Sequence, residues 1–347
     1  MNGYGNSVFL RTAFEVSSGV TPVNTVAPAI TGTAQEGETV TCSTGTWTGT
    51  PTITFAYQWK RNGSNIGSAT NSTYVLVTAD VSQSITCQVT ATNGSGSASA
   101  TSNTITPIAA VDPDAQAFIT ATAITDPTQQ AAINTLVVDL KGYSIWSKML
   151  VIYPFVGGTS LSNSKNLKDP SIGTLTYSVG VTHGSLGIKG NGTSYADTGL
   201  KSTTIGFTQN SAASGVYMQS WATNQTMAYG HFGNLTMYKG LPALYPMINN
   251  ALAPTITPSS FTGLFQMSRN GSANFLFKDK AASASTVTAG SSALNSSLNL
   301  YVCFANNYNG VPDWISFNYY ATGLDATELT NMYTAVQAFQ TTLGRQL

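Results

Sequence analysis

Charged residues are scarce in this 347-residue chain: Asp, Glu, Lys and Arg make up 8% of it, against about a quarter of an average soluble domain. Basic and acidic side chains number 14 each, so there is no overall basic field to recruit nucleic acid. Glutamate is scarcer still, with Glu328 the only one after residue 109. No hydrophobic run is long enough to span a membrane. The stretch Met1–Val20 carries one basic residue, Arg11, and lacks the apolar core of about 7–15 residues that a secretory leader needs. With two His and three Cys in the whole chain, no zinc site of ordinary spacing can be built.

What is present is Ser, Thr, Asn, Gln and Gly in place of charge, a composition suited to many short strands joined by tight turns. Residues 26–108 alternate with period two. Ile53, Phe55, Tyr57 and Trp59 share one face of a strand, Ile85, Cys87 and Val89 one face of another, and Val40 and Cys42 one face of a third. Asn62-Gly63, Asn71-Ser72 and Asn93-Gly94 separate the runs as turn signals. The order Cys42…Trp59…Cys87 resembles the inter-sheet pair and packed indole of immunoglobulin sandwiches. Two sheets about 10 Å apart leave room for one cross-link and one large ring. Oxidised, the pair is worth roughly 4 kcal/mol in the chain-entropy model; reduced, the two thiols simply pack, and both states stay open. Ile85 stands where antibody-type domains place their corner Tyr. The third cysteine, Cys303 in Leu298–Phe304, reads as a small buried hydrophobe in a strand.

The segments Pro28–Thr33, Gly37–Cys42, Gly45–Trp47, Tyr57–Gly63, Tyr74–Leu76 and Ala79–Val81 resemble the bacterial and phage Ig-like repeat. That family implies a spacer or adhesive module and fixes no ligand.

Residues 109–145 read as a Pro/Asp connector followed by a packed helix. Asp126 is its N-cap, Pro127 its first residue, Gln129 sits at the capping-box position, and Ile133, Leu136, Val137 and Leu140 form an apolar stripe ended by Gly142. From residue 146 to 347 short strands return: Met149–Phe155, Leu175–Val181, Val216–Trp221, Met227–Phe232, Leu264–Arg269, Phe275–Asp279, Leu298–Asn306 and Trp314–Tyr320. The chain closes with a helix capped by Asp325 and Glu328, striped by Leu329, Met332, Tyr333, Val336, Phe339 and Leu343, and stopped by Gly344. The expected class is all-β: an Ig-like sandwich, then an antiparallel jelly roll with two short helices.

The carrying segments Thr125–Leu136, Tyr153–Gly158, Asn166–Pro170, Gly190–Gly199 and Leu329–Gly344 resemble the concanavalin A-like lectin/glucanase (laminin-G-like) superfamily, in the form carried by tailed-phage virion proteins. The superfamily holds lectins, hydrolases and inert modules. Its glucanases carry a Glu-x-Asp-x-x-Glu strand that is absent here, and Asp169 and Asp197 lie in turn-rich loops. His183 and His231 have no Gly-x-Ser-x-Gly elbow near them, and Gly190-Asn-Gly-Thr is a turn rather than a nucleotide loop. No cofactor is expected, although a loop calcium ion held by Asp and backbone carbonyls leaves little sequence trace. Lys141, Lys148, Lys165 and Lys168 read as solvated surface. The Asn-x-Ser/Thr sites at Asn71 and Asn191 follow from composition.

What remains is binding. Sugar sites on jelly rolls combine an aromatic platform with amide and carboxylate hydrogen bonds. The candidates are Asn191, Tyr195 and Asp197 in one loop and Asn307, Tyr308 and Trp314 in another.

The resemblance implies a non-enzymatic phage virion protein assembled in the host cytoplasm and displayed on the head or tail. An outward composition without an export leader agrees with exit by lysis, unless a leader has been removed. Residues 1–25 would grip other virion proteins, the Ig-like domain would act as a spacer, and the jelly roll would face cell-surface glycans. Neither nucleic acid nor membrane is an expected partner, and a homo-oligomer is, a trimer if the protein forms a fibre. The alternatives are a carbohydrate-binding adhesin or tail-fibre receptor-binding protein and, requiring a carboxylate pair, a glycan depolymerase.

Overall fold

The computed structural model describes residues 19–50, 52–191, 194–201, 204–219, 228–231, 235–240, 243–248, 256, 262–280, 283–288, 299–303 and 314–346. The chain divides into two units, Met1–Ala110 and Val111–Leu347.

The first unit contains β1 (Val20–Val26), β2 (Ile30–Thr31), β3 (Thr39–Cys42), β4 (Thr46–Thr50), β5 (Thr54–Arg61), β6 (Ser64–Asn65), β7 (Thr73–Val75), β8 (Ile85–Asn93) and β9 (Gly96–Thr101). One sheet runs β6-β5-β8-β9 and the other β2-β3-β7, with β1 and β4 paired as a ribbon. Strand β1 therefore begins at Val20, upstream of residue 26 where the alternation first became legible. The two-residue turn Asn62-Gly63 joins β5 to β6 with φ of 50° and 81°, the left-handed pair that a type I′ hairpin demands. Between the sheets lie Ile30, Val40, Cys42, Trp59, Leu76, Ile85, Cys87 and Val89. Burial along β5 is graded rather than uniform: Trp59 is fully buried, while Phe55 at the open end is 38% exposed.

In the second unit the strands are β10 (Met149–Tyr153), β11 (Thr176–Tyr177), β12 (Thr182–Gly184), β13 (Gly187–Lys189), β14 (Tyr195–Lys201), β15 (Ala212–Met218), β16 (Ala228–His231), β17 (Leu235–Gly240), β18 (Ala243–Ile248), β19 (Gly263–Arg269), β20 (Asn274–Lys278), β21 (Ser285–Thr288), β22 (Asn299–Cys303) and β23 (Trp314–Ala321). Among the described residues there are four α-helices: α1 (Pro113–Thr122), α2 (Pro127–Gly142), α3 (Ser160–Ser164) and α4 (Ala326–Thr342).

A large antiparallel sheet runs β12-β13-β23-β15-β19-β20-β21, with β10 also paired to β23. Smaller sheets run β11-β14-β22 and β16-β17-β18. The large sheet is covered on both faces. On one side Phe118 of α1, Ile133 and Leu136 of α2, and Met332, Val336 and Phe339 of α4 pack against Ala213, Tyr217, Phe317 and Tyr319. On the other side Ala196, Leu300 and Val302 of the small sheet pack against Val216, Phe265, Met267 and Tyr320. An extra residue at Ser316 shifts the β15–β23 register between Tyr217/Phe317 and Met218/Ile315. This bulge lets Ile315 and Phe317, two apart in sequence, face opposite cores.

The all-β expectation is thus corrected to a mostly β protein with four α-helices among the described residues, three of which layer on the large sheet of the second unit. The reason is visible in β19. Its polar positions alternate with apolar ones as a half-wet strand would, yet they face α4 and its approach. Gln266 donates to the Leu329 carbonyl at 3.0 Å and Ser268 to that of Leu324 at 2.6 Å. Both predicted helices form from the predicted caps. Asp126 accepts from the Gln129 N–H at 2.9 Å, and Asp325 and Glu328 form a reciprocal box at 2.9 Å each way. Helix α1 repeats the same signature, Asp112 capping Pro113, inside the stretch read as connector.

Candidate functional site

The Cys42–Trp59–Cys87 constellation is built from β3, β5 and β8. Trp59 and Cys87 are directly opposed across β5 and β8. The indole N–H donates to the Asn71 carbonyl at 2.9 Å, and its ring stacks on Tyr74 with centroids 5.4 Å apart. Both thiols are buried and unbridged. Their contact pulls the Cys42 thiol down and pushes the Cys87 thiol up, because one sulfur donates while the other accepts. The two thiols lie together in the core between the sheets.

The glycan-binding candidates fall on the second unit. Strand β14 alternates in burial: Ala196 and Thr198 point into the core, Tyr195 is 45% exposed, and Asp197 is half-buried on the same outer face. Tyr195 is held through its backbone, its N–H donating to Ser178 Oγ at 2.7 Å. Asn191 sits just before β14, where its Oδ1 accepts the Ser194 N–H at 3.1 Å and its own N–H donates to Ser194 Oγ at 2.9 Å. Trp314 starts β23. Its ring lies over the β12–β13 hairpin, where a Cβ on Gly184 would come within 2.8 Å of it, and Lys189 Nζ stands 5.9 Å from its centroid. Asn307 and Tyr308 lie outside the described residues.

Topology pairs the strand ends that flank the two candidate segments. The chain leaves the large sheet after Lys189 and enters the small sheet at Tyr195; it leaves the small sheet after Cys303 and re-enters the large one at Trp314. Lys189 pairs with Trp314 and Tyr195 with Cys303. The two crossings therefore start and end side by side, one fixed in each sheet. Sequence spacing alone, with more than 100 residues between them, does not reveal this.

The carboxylates of this unit are largely committed elsewhere. Asp169 accepts from the Ser171 N–H and hydroxyl at 2.9 and 2.6 Å, which holds it below the usual carboxylate range. Asp197 accepts from the Gly199 N–H at 2.8 Å. Glu328, besides capping α4, pairs with Lys148 at 2.5 Å. Among the described residues no three His, Cys, Asp or Glu side chains converge as a metal cluster. The lysines read as solvated surface are mostly bound internally. Lys141 pairs with Asp112 and Asp114 at 2.6 Å each, and Lys168 lies 4.4 Å from the Trp146 ring centroid.

One polar cluster escaped the sequence. His183 of β12 meets the edge of Tyr177 at 4.6 Å between centroids, and its Nδ1 lies 3.3 Å from Asn163 Nδ2 of α3. Tyr177 Oη and Asn163 Oδ1 are buried without a hydrogen-bond partner among the described residues. Burial holds the imidazole pKa below its ordinary value of 6.5, so the folded state prefers neutral His183. The unfolded chain takes up the proton first as pH falls. The stabilising contribution is complete above pH 6.5 and is lost as pH falls through the lower folded pKa. We expect the second unit to unfold at lower urea concentration at pH 5 than at pH 7.5, with His183→Gln flattening that difference. An unchanged pH slope in the variant would assign the effect to other groups.

No family model matches the chain, and no curated protein matches it. Among solved structures, domain 4 of AbnA, a GH43 extracellular arabinanase from Geobacillus stearothermophilus in complex with arabinotriose, is similar at 14% identity. The match covers 54% of this chain and 98% of that one, with a TM-score of 0.36. A likeness of that degree sets neither fold nor ligand.

Proposed function

We propose that this chain is a non-enzymatic surface protein of a tailed-phage particle whose second unit binds glycans where the Asn191–Asp197 segment meets the start of β23. The double pairing Lys189–Trp314 and Tyr195–Cys303 carries this reading. It sets an exposed phenol and a half-buried carboxylate on β14, with Tyr195 against Cys303 of β22, and Trp314 of β23 against Lys189 of β13. An aromatic face flanked by hydrogen-bonding groups is what a sugar ring needs: C–H bonds stack on the ring while hydroxyls reach the polar neighbours. The two stacked sheets agree with a concanavalin A-like ancestry. The resemblances in both units and the low charge support the virion setting; because Val20–Val26 pairs with β4, the attachment segment expected over residues 1–25 shortens to the residues before β1. Catalysis is disfavoured because Asp169 and Asp197 are each tied into their own turns.

The full chain is expected to bind at least one polysaccharide in a panel of bacterial surface glycans, and Tyr195→Ala to weaken that binding about tenfold, the order of one aromatic contact. Tyr195 is exposed, so the variant keeps its fold. No binding at millimolar glycan, or unchanged binding by the variant, would count against the proposal. Immunogold labelling of purified particles tests the location separately, and absence of the chain from them would remove the virion part.

A further inference from the structure

Arg345, two residues beyond the cap of α4, is 4% exposed. Its backbone N–H donates to the Gln340 carbonyl at 2.8 Å. Its Nη1 donates to the carbonyls of Phe155 and Ser185 at 2.9 and 3.2 Å, and Nη2 faces that of Pro154 at 3.4 Å. Nε is buried and has no partner among the described residues, and no described carboxylate pairs with the guanidinium. Burial lowers its pKa to about 10, so it remains a cation at neutral pH. Carbonyl dipoles offset part of the cost of burying that charge, but a buried cation without an opposite charge is still unfavourable.

The same residue lines a pocket of about 320 Å³. The other polar lining groups, Gln129, Gly157, Gly158 and Ser185, all offer donors, and none is acidic. Among the described residues the backbone N–H groups of Gly157 and Gly158 donate no hydrogen bond. The backbone that presents them is left-handed at Phe155 (φ 43°), Gly157 (φ 90°) and Gly158 (φ 69°). An aromatic residue in that region is uncommon, and such strain is held where the surroundings determine it. Successive backbone N–H groups in such a bend form a concavity suited to anions. Val156 and Leu343 complete the wall with apolar surface.

We propose that this pocket binds one oxyanion group, a carboxylate or phosphate, with Arg345, the Gly157 and Gly158 N–H groups and the Gln129 amide as its donors. The site uses none of the Tyr195 surface and stands or falls independently of the glycan reading. The charged oxygen supplies the opposite charge that Arg345 lacks, and Val156 and Leu343 contact whatever carbon skeleton carries it.

The test is calorimetric titration of the full chain at low ionic strength with inorganic phosphate, acetate, glucuronate and glucose, paired with thermal melting. Saturable binding of at least one anion, with a raised melting temperature and none for glucose, supports the proposal. Glucuronate tighter than acetate would assign an acidic sugar as the source; phosphate binding without gain from a sugar ring would assign a free anion. Gln129→Ala, a half-buried position in the first turn of α2 where Ala favours the helix, should weaken the anion about tenfold. Arg345→Lys should weaken it further while keeping the charge. If Arg345→Lys does not fold, Gln129→Ala decides alone. No binding by any anion, or unchanged affinity in the folded variants, would overturn the assignment.

Discussion

Asp80→Ala is expected to destabilise the first unit by about 3 kcal/mol, the lower end of the range for removing one partner of a buried ion pair. The Asp80 side chain is fully buried, on the one-turn helix Thr78–Asp80 that precedes β8. Its Oδ1 accepts from Arg61 Nε of β5 at 2.7 Å, and its Oδ2 accepts from the Tyr74 hydroxyl at 2.9 Å and the Val77 N–H at 2.8 Å. One carboxylate thus ties both sheets together, and Tyr74 in turn stacks on Trp59. Removing it leaves a phenol and a backbone N–H unpaired and strips Arg61 of its counter-charge. Arg61 is 29% exposed on its side chain and can partly rehydrate, which keeps the loss from reaching the top of the range. Asp80→Asn, which retains an acceptor, should cost less. Hydrogen exchange of β5 and β8 in the full chain measures this directly. Protection in both strands falls by the same free energy if the network acts as one unit, and an unchanged β5 would show that it does not.

Gly187→Ala is expected to be at least as damaging to the second unit, at about 3 kcal/mol or more. Gly187 opens β13 with φ of 117°, and a Cβ there would lie 2.1 Å from the Ile315 carbonyl oxygen and 3.0 Å from Ser316 Cα. Those obstacles are backbone of β23, the strand paired with β10, β13 and β15, and cannot swing aside as a side chain would. Relief requires the β12–β13 hairpin to leave β23, which breaks the Ile188–Ile315 and Lys189–Trp314 pairing and uncovers Trp314. We expect the variant either to accumulate in aggregates or to show a lower urea midpoint together with a change in Trp314 fluorescence. A midpoint equal to that of the parent chain would mean that β23 is far more pliable than its burial implies.

Legibility in the sequence followed the range of the interactions. The Asp126 and Asp325 caps, the apolar stripe of α4 and the left-handed Gly344, with φ of 67°, depend on neighbours within one turn, so they stand in the sequence. Helix α1 carried the same Asp-Pro signature at 112–113 and was masked by the Pro/Asp density around it. Helices α2 and α4 were legible but the docking of α4 on the large sheet was not, because a strand position that bonds a helix looks like one that faces water: Gln266 and Ser268 are polar in either case. The Ser316 bulge adds to this by switching faces without a glycine or proline to mark it. For the site, the exposed Tyr195 follows from alternation along β14. The approach of the two crossings follows only from pairing between strands over 100 residues apart. Arg345 is the extreme case, a cation near the end of the sequence whose burial depends on carbonyls at residues 154, 155 and 185.

The most direct measurement for the account as a whole follows one bacterial polysaccharide through binding and chain length together. Wild-type chain, Tyr195→Ala, and an Asp169→Asn/Asp197→Asn double variant would each be incubated with the bound glycan. Retention by the protein and the size of the recovered polysaccharide would be read from the same sample. Binding that requires Tyr195, with polysaccharide of unchanged size in every sample, is the predicted result. Shortening of the glycan by the wild-type chain that disappears in the double aspartate variant would contradict it.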